Sequence, residues 1–156
     1  DGEIQTGHVA FKLAPRLNAS GRLFSAEDSL KLLLTEDEAE AGELAKKLNK
    51  NNYERRQIEN EVLESALQQV KRKFNFNTDK VIVIENRNWP VGVIGIVAGR
   101  LASRYHRPAI VISVENGIGK GSGRSTKNFH LLNALNVCKD FFLNFGGHAH
   151  AAGISI

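Results

Sequence analysis

Residues 81–114, VIVIENRNWPVGVIGIVAGRLASRYHRPAIVISV, alternate between strand-like and helix-like apolar patterns. Val81-Ile82-Val83-Ile84 is a continuous apolar run of strand length, the pattern of a strand covered on both faces. Val91 to Arg104 follows with apolar residues at helical spacing, and Ala109 to Val114 is a second run of buried-strand character. A strand, a helix and a second strand in that order favour a parallel pair joined by a right-handed crossover. Downstream, Leu131 to Leu143 reads as another helix, Gly117 to Gly123 as a less regular third strand, and Ala151 to Ile156 as the strand closing the sheet. The predicted order is β-α-β-β-α-β.

Upstream of the polar break at 75–80 the pattern is helical. Pro15 should end or kink any helix begun near Gly7, which puts Arg16 on a bend. Ser25 with Asp28, and Thr35 with Glu38, each read as an N-cap and its reciprocal partner three residues on. Ala41, Leu44, Ala45 and Leu48, then Ile58, Val62, Ala66 and Val70, recur at helical spacing. The second helix therefore runs to about Lys73 and spans roughly 57 Å at 1.5 Å per residue. That is too long for a compact domain of this size and reads as a connector. The expected organisation is a helical connector segment over 1–76 and an α/β domain over 77–156.

With 156 residues, 42% of them hydrophobic, the chain can build one ordinary core and a second small helical subdomain. A net charge of +4 permits a polyanionic partner without requiring one, so the position of the charge must decide. A single cysteine, Cys138, excludes an internal disulfide and a thiolate metal cluster and fits a reducing cytoplasm. No apolar run reaches membrane-spanning length, and Asp1-Gly2-Glu3 opens no targeting signal. There is no methionine, not even at position 1, which points to a piece of a longer polypeptide.

Four segments could carry chemistry. Phe145-Gly146-Gly147-His148, followed by Ala149-His150-Ala151-Ala152-Gly153, sets an imidazole beside bare backbone amides able to approach an anion closely; the alternative is a Gly-rich turn between a helix and a strand. Gly117 to Ser125 combines glycines with Lys120, Arg124 and two hydroxyls, either a phosphate cradle with Arg124 as forked donor or a plain hairpin. It has neither Walker A nor Rossmann spacing. Arg16 and Arg22 flank Asn18 on a segment that cannot be regular helix throughout; they suit a phosphodiester backbone, unless Arg16 pairs with an acid on the long helix. Trp89 lies in a loop at the C-terminal end of a strand and either stacks on a base or belongs to the core. His8, His106, His130 and His150 show no ligand spacing with a carboxylate or thiol, so no metal is expected here.

Taken in order, Pro15 to Arg22, Arg55-Arg56-Gln57, Trp89 with Gly92 to Ala98, Arg104 to Pro108, Gly121 to Ser125, and Gly146-Gly147-His148 with Ala151-Ala152-Gly153 resemble the RecJ family of the DHH/DHHA1 phosphoesterase superfamily. That family holds single-strand-specific 5′→3′ exonucleases of DNA repair and recombination. The resemblance runs from about Gly7 to the last residue. It implies a connecting helix plus a DHHA1 domain with a mixed β-sheet flanked by helices, the metal-binding DHH domain upstream and a DNA-binding OB domain downstream lying outside this chain. It implies that Mn2+ or Mg2+ held by Asp and His of the DHH domain activates the attacking water. No Asp-His-His triplet occurs here, so the chain alone should not hydrolyse DNA. It assigns single-stranded DNA as the partner, Arg16, Asn18, Arg22, Trp89, Ser122, Arg124, Ser125, Gly146 and Gly147 to substrate binding, and His148 to catalysis. Pro90 stands where the family usually carries histidine or asparagine, and it has no side-chain donor. Two other readings are a phosphoesterase of short oligonucleotides or adenosine 3′,5′-bisphosphate, which shares the Gly-Gly-His signature, and a non-catalytic interaction module.

Overall fold

A computed structural model describes residues 3–156. The chain forms two compact units divided in sequence between Ile58 and Glu59. In chain order the helices and strands are α1 (Thr6–His8), a π-helical stretch (Val9–Leu13), α2 (Ala14–Leu23), α3 (Glu27–Leu34) and α4 (Glu38–Lys73). There follow β1 (Ile82–Asn86), α5 (Val91–Tyr105), β2 (Ala109–Glu115), β3 (Ile118–Arg124), α6 (Leu131–Val137), a 3-10 turn (Lys139–Phe141), β4 (Asn144–Gly147) and β5 (Ala151–Ser155).

In the first unit Pro15 does not break the helical path. It sits in the first turn of α2, where its missing N–H costs least, and the wider π turn before it takes up the irregularity. Arg16 is therefore helical, not on a bend. The start of α4 also differs from expectation. Asp37, not Thr35, caps it, its Oδ1 accepting from Ala39 N (2.8 Å) and Glu40 N (3.2 Å), the geometry of an N-cap carboxylate. Thr35 Oγ1 accepts from Asp37 N and donates to the Glu40 carboxylate. Likewise Ser25 Oγ accepts from Glu27 N, one residue ahead of a capping position. Buried Asn51 Nδ2 donates to Ser20 Oγ (3.1 Å), and Ser29 Oγ donates to Leu17 O (2.8 Å), so the small polar groups inside this unit are paired.

The second unit begins within α4, whose residues Val62, Ala66 and Val70 are buried and whose Gln69 Nε2 donates to Glu85 O of β1 (2.9 Å). The five strands lie in the order β1-β2-β3-β5-β4, with β1 and β2 parallel across the α5 crossover and the remaining pairs antiparallel. Ile82, Ile84, Ala109 and Val111 are buried on the face carrying Val93, Ile94, Val97 and Leu101 of α5. Ile110, Ile112, Ala152 and Ile154 form the core of the opposite face with Leu131 and Leu135 of α6. Before β1, the Asn75 backbone N–H and then the Thr78 hydroxyl bond to Asp79, and with the nearby Arg107 charge they hold its carboxyl below the ordinary carboxylate range. This contribution to stability is present above the ordinary carboxylate pKa and is lost as pH falls through the lowered value.

In the second unit three sequence expectations change. β1 is an edge strand covered on one face, and Val83 is 57% exposed. β3 is a regular central strand despite its glycines, because a Cβ on Gly121 would come within 2.5 Å of Ile154 Cγ1 and one on Gly123 within 2.7 Å of Leu131 Cδ2. The helix expected over Leu131 to Leu143 stops at Val137. Phe142 and Phe145 reach the α6-side core from non-helical backbone, and Asn144–Gly147 becomes an added edge strand.

Gly147 has φ +152°, and a Cβ there would lie 2.3 Å from Ala151 O; Gly146 has open space around it. Gly147→Ala should therefore cost about 1–3 kcal/mol in urea denaturation, while Gly146→Ala should stay within about 0.5 kcal/mol of the parent. Equal midpoints for the two variants would contradict this.

Candidate functional site

The alternation of β3 sorts its residues by chemistry. Gly119, Gly121 and Gly123 face the α6-side core, and Lys120, Ser122 and Arg124 face the α5 side. Strand register then aligns the motifs of the sequence: Ser122 stands opposite Gly153, and Gly153 opposite Gly146. Arg124 stands opposite Ala151, whose carbonyl accepts from His148 N (2.8 Å). Adjacent strands are spaced by about 4.8 Å, so His148 lies roughly 10 Å, two strand spacings, across the sheet from Arg124. The result is a sheet face of side-chain-poor backbone bordered by Lys120, Ser122, Arg124 and His148. Gly146 with Lys120, Asn144 and Ser155 lines a hollow of about 350 Å³ on it.

Helix α5 positions the arginine. A Cβ on Gly95 would sit 2.9 Å from Ser122 Oγ and 3.2 Å from Arg124 Nη2, and one on Gly99 would lie 3.8 Å from Arg124 Cγ. The side chain thus runs along the two glycines, one helical turn apart. Arg124 Nη1 donates to Ser122 Oγ (3.1 Å) and Gly123 O (2.8 Å). The guanidinium is half-buried, and among the described residues no carboxylate pairs with it. A partly desolvated cation fixed in one geometry without a counter-charge is arranged to receive an anion, and its planar fork suits two phosphate oxygens.

The other expected site residues divide. Gly146, Gly147 and His148 lie on or beside this face, and the His148 imidazole is exposed, with no bonded partner among the described residues. Ser125 is committed to its loop: its N donates to His150 O (3.0 Å) and its Oγ to Phe129 O (2.7 Å), leaving the hydroxyl only a lone pair, which suits no anion. Trp89 is 5% exposed and its carbonyl accepts from Ser113 Oγ (2.6 Å). It is a core residue with no open face for a base. Arg16, Asn18 and Arg22 belong to the first unit, all on α2. There Arg16 bonds not to an acid but to Asn49 Oδ1 and Lys12 O, each at 2.5 Å. Asn18 and Arg22, four residues apart on one helix face, line a hollow of about 630 Å³. Gly95 and Gly99 went unassigned in the sequence, although two glycines four apart in a predicted helix signal a close approach.

Among the described residues no three of His, Cys, Asp or Glu stand together in a way that could hold a metal ion. The described residues do not fit a divalent centre, and the chemistry they offer is anion binding, with the exposed His148 imidazole beside it.

The profile of the DHHA1 domain matches residues 78–156. The single-stranded-DNA-specific exonuclease RecJ of Bacillus subtilis is 41% identical over 99% of this chain and 20% of its own length. Among solved structures, RecJ from Thermus thermophilus in complex with Mg2+ superposes with a TM-score of 0.86 at 37% identity, over 96% of this chain and 23% of that one. An exonuclease RecJ bound to manganese gives a TM-score of 0.82 at 37% identity, over 97% of this chain and 37% of that one. The chain spans a fifth to just over a quarter of the length of the curated relatives it matches.

Gly95→Ala is expected to keep stability within about 1 kcal/mol of the parent, since the gain in helix propensity offsets the displacement of two flexible side-chain ends. It should nonetheless move the guanidinium. The Arg124 Nε–Hε NMR resonance reads this directly, and an unshifted resonance would contradict the placement.

Proposed function

This chain belongs to the DHHA1 domain family, and from that membership we propose that it is the substrate-binding part of a 5′→3′ single-stranded-DNA exonuclease of DNA repair and recombination, located in the cytoplasm. The observation that carries the proposal is the half-buried Arg124, fixed over Gly95 and Gly99 and facing no acid. Its relatives named as single-stranded-DNA-specific exonucleases supply the substrate class.

In this reading Arg124 and the Ser122 hydroxyl bind one phosphate of the strand. The backbone at Gly146 and Gly153 lets the sugar-phosphate chain lie against the sheet without meeting a Cβ. His148 holds a proton near the reacting phosphate, as donor to one of its oxygens. Asn18 and Arg22 on α2 supply a second contact to the DNA backbone, which fixes register without reading sequence. Divalent-metal chemistry belongs to a DHH domain outside this chain. An OB domain of the same polypeptide extends the grip on DNA, and the 156-residue chain alone has no nuclease activity.

In the full-length protein, Arg124→Ala should weaken single-stranded DNA binding by about 1.5–3 kcal/mol, the range of a charge-assisted hydrogen bond. Fluorescence anisotropy checks it, and unchanged affinity would remove Arg124 from the site. For His148→Ala, the loss in kcat should exceed the change in KM, the signature of an interaction made in the transition state. Parent-like turnover would reduce His148 to a turn residue.

A further inference from the structure

Beyond the sheet face, on the far side of Arg124, a second cavity of about 600 Å³ opens where the end of β3, the C-terminal turn of α5 and the β4–β5 turn come together. Its volume lies in the roughly 300–1,000 Å³ range of small-molecule sites. Arg124, Lys127, His106 and His150 line it together with Ser103 and Thr126, and no carboxylate does. Two backbone bonds staple its walls: Ser125 N to His150 O (3.0 Å) and Leu131 N to Ala149 O (2.9 Å). These hold the segments bearing Lys127 and His150 side by side. His106 is fixed at the end of α5 by a left-handed backbone, φ 51°. Among the described residues the side chains of Lys127, His106 and His150 have no ion-pair or hydrogen-bond partner.

The α5 C-terminus bears on this cavity with the negative end of its dipole, equivalent to about half an elementary charge. Arg124 and Lys127 contribute two full positive charges, so the cavity remains anion-attracting.

We propose that this cavity is a second anion site, separate from the strand's track, which takes a phosphate group carried by a mononucleotide or by inorganic phosphate. Lys127 and His150 donate to the phosphate oxygens, and the Ser103 and Thr126 hydroxyls supply further donors. Because Arg124 borders both the cavity and the sheet face, an occupant draws the guanidinium away from the strand, so a released mononucleotide would compete with the DNA end. This competition rests on the reading of Arg124 given above; the anion site itself does not.

The test uses the full-length protein and titrates dAMP and inorganic phosphate by calorimetry into the parent and the double variant Lys127→Ala/His150→Ala, with a 5′-phosphorylated oligonucleotide as control. The expected result is dAMP binding by the parent, weakened about tenfold or more in the variant, with oligonucleotide affinity held within about twofold. Tighter binding of dAMP than of phosphate assigns the site to a mononucleotide, and equal affinity assigns it to free phosphate; either upholds the anion site. No dAMP or phosphate binding by the parent, equal binding by parent and variant, or a parallel loss of oligonucleotide affinity would overturn it. Failure of the strand-binding reading shows separately, as an oligonucleotide affinity indifferent to Arg124→Ala.

Discussion

The second unit depends on the absence of side chains along one face of β3. A strand in the middle of a five-stranded sheet must be packed on both sides, and Gly121 and Gly123 let Ile154 and Leu131 press against its backbone where any Cβ would collide. That contact secures the α6-side core and frees the alternate positions, Lys120, Ser122 and Arg124, for the other face. The same device recurs on α5, where Gly95 gives Ser122 and Arg124 room to lie flat against a helix. Stability and site thus have one origin. The glycines that make the strand packable also make it chemically one-sided.

The parallel β1–β2 pair was legible in the sequence because long apolar runs flank a helix with clear periodicity, a local signal that tertiary context does not reverse. The exposed face of β1 was not, since apolar content tells how a strand can be buried and not which neighbours arrive to bury it. β4 was hidden for a related reason. Asn144-Phe145-Gly146-Gly147 has no alternation to read, and its strand conformation comes from pairing with β5, in which Gly147 adopts a backbone that other residues avoid. At α4, Thr35 and Asp37 were both able to cap, and the carboxylate in reach of two amides won.

The candidate site was legible where chemistry and spacing coincided. Ser122 and Arg124 stand two apart, so a strand puts them on one face; register brings Gly146 to that face, and the bond from His148 N to Ala151 O sets His148 beside it. Two candidates were not settled by residue type. An indole is as good a core residue as a stacking platform, and the fold buries Trp89; a serine hydroxyl serves a loop as readily as a ligand, and Ser125 closes the loop. The helix glycines were missed because their role lies in what they allow a neighbouring strand to do.

In the proposed function these residues carry part of a single-strand groove whose affinity comes from phosphates. The most direct test is a salt titration of the 156-residue chain binding a fluorescent single-stranded oligonucleotide, with duplex of the same sequence as competitor. Binding should weaken linearly on a log-log plot, with a slope of about −0.7 for each phosphate neutralised, and the duplex should compete poorly. Absence of binding at low salt, or duplex competing as well as single strand, would contradict it.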